Sequence, residues 1–322
     1  MIDVSIVIVC MNNLKNLYPC LESIRKFTSV SYECFVVAYL FTKENLEKVK
    51  ADFPWVKFVE SNEIRGFSEN NNLALKQAKG KYCFVVNDDT EMKMPVIDRL
   101  VDSIRFLPDN VAIVSPVTKF ANGKVQFCGR DIVNAKTMIL DSLHLGFLCR
   151  KSKYRDRRGL FKSYNIIGAA FLIKTDIFHK MGWFNEYYFF APEDTALSSN
   201  LNHQGYECWV NSDIHITHYE GMTGKQRSGN YSLVQTATRP AGDKGLMYFL
   251  NGEKIGGLKY YLLCSWRYFI TVLRLCYHFI RGVLIPQPNI YIVLAKGDIH
   301  ILQSLFSKKT PKEIFVSYYS KL

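Results

Sequence analysis

Residues 82–90 read YCFVVNDDT: five apolar or aromatic residues in succession, then an amide, two carboxylates and a hydroxyl. Val, Phe and Tyr favour extended backbone, and an apolar run without polar alternation belongs to a strand covered on both faces. The same pattern extends upstream. VSIVIV at 4–9 reads as a strand, and Leu14, Leu17, Leu21 and Ile24 give helical spacing over 14–26. A strand at 34–39 (CFVVAY), a polar helix over 43–51, a strand at 56–60 and a helix over 68–79 follow, and downstream come a helix over 95–106 and a strand at 111–114. Alternating strands and helices, with strands apolar on both sides, predict an α/β fold: a doubly wound, mainly parallel sheet flanked by helices.

After Pro116 the alternation gives way to shorter, mixed strands and a basic stretch, 150–162, that reads as a loop. Order returns with a strand at 168–173 (GAAFLI), a short helix capped by Thr175, a helix over 194–204 and a strand at 206–210. The nine cysteines are scattered, odd in number and never in a CxxC pair, which argues against a disulfide framework or a zinc site and suits a reducing cytoplasm. The first residues lack the basic start, apolar core and cleavage site of a signal peptide, so they are expected to open the first strand.

The formal charge of +12 asks for an anionic partner. From Asn251 onward ten Lys or Arg face three Asp or Glu, and a second basic cluster comprises Arg150, Lys151, Lys153, Arg155, Arg157, Arg158 and Lys162. Neither matches a nucleic-acid-binding motif, so no nucleic-acid partner is expected. The stretch 255–285 is apolar and aromatic but charges interrupt it before it reaches the ~18 residues of a membrane span. Lys259, Arg267, Arg274 and Arg281 recur every seven or eight residues. On a helix they form one cationic stripe opposite a broad apolar face, with Trp266, Tyr268 and Tyr277 available at headgroup level. That pattern suits a helix lying on an anionic membrane surface, and equally one packed on its own protein with a solvated Arg edge.

In an open parallel sheet, ligands bind beyond the carboxyl ends of the strands. There Asn87, Asp88, Asp89 and Thr90 offer oxygen ligands to Mg2+ or Mn2+ bridging a diphosphate, although the same residues also make turns and helix caps. Glu193 and Asp194 enter the helix over 194–204 behind an aromatic stretch, either as stabilising charges at a helix N-terminus or as a general base. His218, at the end of a strand, is a further candidate ligand beside Asp89.

Taken in order, SIVIVCMNN (5–13), RGFSENNNLALKQAKGKYCFVVNDDT (65–90), GAAFLIKTDIFHKMGWFNEYYFFAPEDTALSSNLNHQGY (168–206) and THYEG (217–221) resemble family 2 glycosyltransferases, especially the rhamnosyltransferase-like branch. The resemblance implies a GT-A catalytic domain over 1–225, with a nucleotide-sugar half (1–117) and an acceptor half (118–225), followed by a helical region over 226–322. It implies an inverting transfer from a nucleotide-diphosphate sugar to a hydroxyl acceptor, in bacterial surface polysaccharide synthesis; the basic stretch 150–162 and the cationic tail suggest a glycan or lipid-linked acceptor at the inner face of the plasma membrane, with plain solvated charge as the alternative for both. Asp89 then corresponds to the metal-binding acid of the DXD-type motif and His218 to the histidine completing the metal or diphosphate site. Asp194 corresponds to the base and Glu193 to its neighbour in the acceptor region. Met11, Asn12, Arg65, Gly66, Asn71, Asn87 and Asp88 correspond to the nucleotide-sugar pocket. Two features depart from the family: Ala38-Tyr39-Leu40-Phe41-Thr42 stands where an acidic base-contacting motif is common, and Asn200 and Asn202 stand where an Arg is frequent. Two alternatives stay open: a sugar-nucleotide nucleotidyltransferase, although Cys10-Met11-Asn12-Asn13 stands where that class normally has a Gly-rich phosphate-cradling loop, and a non-catalytic sugar-binding derivative of the fold.

Overall fold

A computed structural model describes residues 2–148, 154–219, 233–284 and 288–322. Arg150, Lys151 and Lys153 of the basic stretch, and Glu220 and Gly221 of the last motif, lie outside the described residues. The chain divides into two compact units, one of residues 1–132, 151–185 and 193–222, the other of 133–150, 186–192 and 223–322.

The first unit is built on a ten-stranded sheet. Strands β1 (Val4–Cys10), β2 (Tyr32–Tyr39), β3 (Val56–Ser61) and β4 (Tyr82–Asn87) are parallel, in the order β3-β2-β1-β4. The sheet continues through β9 (Ala170–Lys174), β6 (Val111–Lys119), β10 (Glu207–His218) and β5 (Thr90–Glu91), while β7 (Val125–Phe127) pairs with β6 and β8 (Leu160–Ser163) with β10. Alternation along β1 explains the helices on both faces. Val4, Ile6, Ile8 and Cys10 enter one core with α1 (Leu14–Phe27) and α4 (Val96–Arg105), whereas Val7 enters a second core with α3 (Phe67–Leu75), α6 (Thr175–Lys180) and α7 (Glu193–His203). Helix α2 (Lys43–Asp52) links β2 to β3, capped by Thr42.

The structure departs from the sequence reading at definable points. Helix α3 ends at Leu75 because the backbone N–H groups of Lys79 and Gly80 turn away to Ser5 Oγ, and that of Lys79 also to Glu33. Strand β6 runs through Pro116, which stands opposite Asn211 where β10 shifts register; a residue without an N–H is tolerated at such an irregularity. The basic stretch contributes β8, paired antiparallel with β10, rather than only a loop. Thr175 begins α6, but its hydroxyl donates to the Gly80 carbonyl instead of capping the helix.

The second unit consists of helices α5 (Ala135–Ser142), α8 (Gln235–Leu250), α9 (Leu258–Leu284), α10 (Pro288–Ser304) and α11 (Pro311–Tyr319). Met247, Leu250, Tyr260, Leu263, Cys264 and Leu305 form its apolar core. The predicted cationic stripe on α9 is not uniformly solvated. Arg267 reaches Asp243 of α8 at 2.7 Å and Arg274 reaches Asp298 of α10 at 2.7 Å, leaving Lys259 and Arg281 exposed. The acids that turn the middle of the stripe inward sit on other helices, where the spacing within α9 gives no sign of them. Among the described residues, no helix is long and apolar enough to cross a membrane.

Candidate functional site

The parallel strands β1 to β4 end on one edge of the sheet, β9 starts there because it is antiparallel to β4, and β6 and β10 end there again. That edge collects most of the polar residues singled out by the sequence. Thr90 turns the chain after β4 by donating to the Asn87 carbonyl at 2.8 Å, so the turn is closed by a hydroxyl and not by the Asp88 or Asp89 carboxylates. The two residues of β5 then pair with the end of β10, His218 opposite Thr90, and the Tyr219 N–H donates to the Asp89 carbonyl at 2.9 Å. This pairing presses Asp89 against His218.

His218 Nε2 lies 3.1 Å from Asp89 Oδ1, both side chains nearly excluded from solvent. On its far side His218 Nδ1 stands 2.8 Å from Gln126 Oε1 in β7, an acceptor for an Nδ1 proton; in the neutral ring so bonded, Nε2 keeps its lone pair. Asp89 Oδ1 is buried and receives no hydrogen bond among the described residues. In that tautomer a nitrogen and an oxygen lone pair face each other out of water, an arrangement that can hold a cation. Asn87 Nδ2, 3.5 Å from Nε2, borders it. Among the described residues no three His, Cys, Asp or Glu side chains converge on one point, so these two protein ligands would leave the remaining positions to water and phosphate oxygens. Burial pushes the Asp88 carboxyl up to about 7, against the Cys10 thiol hydrogen bond that lowers it and with the Asp89 charge that raises it further.

Asp194 lies in the first turn of α7. Its Oδ1 accepts the Thr195 N–H at 2.6 Å, and its Oδ2 accepts the Gly168 N–H at 3.0 Å. The next residue, Ala169, accepts the Asn87 N–H at 3.0 Å. Two consecutive residues, Gly168 and Ala169, therefore tie Asp194 to the end of β4. A Cβ on Gly168 would sit 3.6 Å from Asp194 Cβ and 3.7 Å from Phe67, which brings the segment after Gly66 to the same place. Glu193 begins α7 and is partly buried.

The remaining residues are placed less uniformly. Met11 is exposed after β1. Asn12 adopts a left-handed φ of 48°, and its Oδ1 accepts the Thr42 N–H and an amide hydrogen of Asn45, fastening the loop after β1 to the loop after β2. Arg65 bonds Ser61 and Glu63, while the Gly66 N–H donates to Glu69. Asn71, expected in the pocket, is buried and donates to the Phe67 carbonyl within its own helix. Gln126 was not indicated by the sequence, since only the pairing of β7 beside β6 and β10 brings it to His218. A cavity of about 750 Å³ lined by Gly80, Lys81, Arg105, Lys174 and Trp183 lies at the opposite, amino-terminal end of β4, away from this chemistry.

No curated protein matches the chain. Among solved structures, one of GalNAc-T7 with UDP, GalNAc and Mn2+ aligns with a TM-score of 0.55 at 19% identity over 68% of this chain and 44% of that one, so this chain spans less than half that relative's length. The mannosyltransferase PcManGT from Pyrobaculum calidifontis, in complex with GDP-Man and Mn2+, aligns with a TM-score of 0.52 at 12% identity over 99% of this chain and 86% of that one. At these identities the likeness is one of fold, the GT-A type of mixed α/β sheet. The sequence profile described as "Glycosyl transferase family 2" matches residues 5–182, more than half the chain, and the chain belongs to that family.

Proposed function

We propose that this protein is a metal-dependent glycosyltransferase that moves a sugar, with inversion, from a nucleotide-diphosphate sugar to a hydroxyl of a glycan or lipid-linked saccharide. The observation that carries the reading is the pair Asp89 Oδ1 and His218 Nε2, two ligand atoms 3.1 Å apart, on the same strand end that Gly168 and Ala169 tie to Asp194. Mg2+ or Mn2+ held by Asp89 and His218 would supply Lewis-acid stabilisation of the departing diphosphate. The nucleotide sugars or nucleotide and the Mn2+ in the two structural neighbours support the same donor class and cofactor here.

The chain's own residues have distinct tasks. Met11, Asn12, Arg65, Gly66, Asn87 and Asp88 border the donor, with residues 1–117 as the nucleotide-sugar half. Asn71 contributes by holding the turn of α3 that carries Phe67. Residues 118–225 form the acceptor half, where Asp194 receives the acceptor's hydroxyl proton as its oxygen bonds the anomeric carbon and the bond to the diphosphate breaks. Two backbone N–H groups fix the orientation of that carboxylate before substrate arrives. Glu193 borders the acceptor. The C-terminal region 226–322, helical in its described residues, brings the enzyme to the inner face of the plasma membrane, and the sequence resemblance to the rhamnosyltransferase-like branch supports a role in bacterial surface polysaccharide synthesis.

The test is transfer and donor hydrolysis with UDP-, dTDP- and GDP-sugars in the presence of Mn2+, for the wild type, Asp89→Ala and Asp194→Asn. Wild-type turnover in either variant removes that residue from the mechanism, and donor binding without turnover by the wild type identifies a non-catalytic sugar-binding protein.

A further inference from the structure

Beyond Cys264, helix α9 is inverted. Its face toward α8 and α10 carries Arg267, Arg274 and His278, bound to Asp243 or Asp298, while its outward face is apolar. Leu262, Phe269, Leu273, Phe279, Val283 and Leu284 are each between 52% and 73% exposed. No exposed residue between Lys259 and Arg281 is charged. Phe306 extends this surface, its ring 5.9 Å from that of Tyr268. Twenty-seven residues of helix make a strip about 40 Å long. Apolar surface that contiguous marks an interaction site, because soluble proteins rarely leave it in water.

We propose that this outward face of α9 docks in the interface of an anionic lipid bilayer. Charge selects the occupant. Arg267 and Arg274 are neutralised within the helical unit, but Lys259 and Arg281 flank the apolar strip and Lys308 and Lys309 are exposed directly after Phe306. A second copy packed on this strip would bring two cationic borders together with no exposed acid on the strip between Lys259 and Arg281 to meet them. Anionic headgroups meet those cations while acyl chains cover the strip. Tyr261, Tyr268 and Tyr277 are exposed along it and place amphipathic rings at the boundary. The inference refines the membrane part of the reading above and is independent of its transfer chemistry.

The experiment is flotation of the full chain with phosphatidylcholine vesicles, with and without phosphatidylglycerol, for the wild type and for the double variant Phe269→Ser, Phe279→Ser. The wild type is expected to float with the anionic vesicles and to be released by high salt. The variant should partition at least roughly tenfold more weakly, since each Phe removes the burial of a large apolar side chain. Its melting temperature should be unchanged, because both side chains are exposed, and its thermal shift with a nucleotide sugar and Mn2+ should match the wild type. A wild type that stays at the bottom with both vesicle types overturns the proposal, as does a variant that floats like the wild type. A concentration-dependent dimer in sedimentation velocity, abolished by the same two substitutions, would assign the strip to a second copy instead. Loss of the nucleotide-sugar shift in the wild type would count against the donor reading and leave the docking result standing.

Discussion

Gln126 Oε1 stands 2.8 Å from Nδ1 of His218, on the opposite side of the ring from Asp89. A carbonyl acceptor there holds the proton on Nδ1 and leaves Nε2 with the lone pair that a metal needs. Partners of this kind fix the tautomer and the orientation of a ligating histidine. Gln126→Leu is therefore expected to weaken Mn2+ binding, read by titration calorimetry, by about 10–100-fold, whereas Gln126→Glu, which retains an acceptor, should stay near wild type. Equal affinity in all three proteins would show that Gln126 does not position the ligand.

Asp194 has both a structural and a proposed chemical task, and the two separate by measurement. Its carboxylate receives N–H groups from Thr195 and Gly168, so Asn at this position must turn an NH2 toward one of them. The cost to stability should be about 1–2 kcal/mol, a lost hydrogen bond in the first turn of α7 and a donor facing a donor. A general base contributes about 10²–10⁴-fold to rate, so kcat for transfer should fall by that factor in Asp194→Asn. Donor affinity, measured by thermal shift, should hold. If kcat falls only as far as the folded fraction does, Asp194 steadies the first turn of α7 and nothing more.

Glu33 offers a pH test of the sheet. It is buried, and its carboxylate accepts the Ser5 hydroxyl at 2.7 Å, the Lys57 ammonium at 2.6 Å and the Lys79 N–H at 2.8 Å. Burial pushes its pKa up, but the hydrogen bonds together hold it below the usual glutamate value of 4.5. A depressed folded pKa means that the unfolded chain binds the proton first as pH falls. The stabilisation is present above the unfolded pKa and is lost as pH drops through the folded one. Urea denaturation of Glu33→Gln should show a deficit of about 1–3 kcal/mol at pH 7 that shrinks toward pH 3. A deficit independent of pH would assign the effect to packing.

Gly80 closes the same network. A Cβ there would lie 2.4 Å from the Ser5 nitrogen and 2.7 Å from the Val4 carbonyl carbon, both backbone atoms that cannot yield without displacing β1. Gly80→Ala should cost about 1–3 kcal/mol in chemical denaturation. Gly168→Ala, whose Cβ would meet its neighbours at 3.6 Å or more, should lose far less. Similar losses in the two variants would show that crowding at Gly80 is relieved by local movement.

The contrast between those two glycines shows where sequence reading succeeds. β1, β2 and β4 were legible because a strand buried on both faces must be apolar throughout, and α1 and α4 because an apolar stripe repeats with the helical period. β10 reads from sequence as two pieces, 206–210 and a strand ending at His218, yet runs on through twelve residues, since Asn211, Ser212 and Asp213 interrupt its apolar pattern where the register against β6 shifts. Asp89, Asp194 and His218 stood out as polar residues ending apolar runs or opening a helix. Gln126 did not, because its importance depends on pairing between segments 92 residues apart. Ser5 and Glu33 were hidden in the same way, as polar residues inside strands whose partners come from elsewhere in the chain.

The arginines of α9 extend that argument to energy. Asp298 is fully buried and meets Arg239 at 2.6 Å, Arg274 at 2.7 Å and His278 at 2.7 Å. Two guanidinium groups drawn toward the interior around one carboxylate are tolerable only while that carboxylate is charged and in place. Asp298→Ala should therefore destabilise the helical unit by about 3–5 kcal/mol, the cost of breaking a buried ion pair from one side. Lys259→Ala and Arg281→Ala, at exposed ends of the same stripe, should leave the denaturation midpoint where it is. Pairing Asp298→Ala with Arg274→Leu should recover part of the loss, because one of the orphaned charges goes with it. If the double variant is no more stable than Asp298→Ala alone, Arg274 finds water or another acceptor once Asp298 is gone, and the inward turn of the stripe is not what holds α9 on α10.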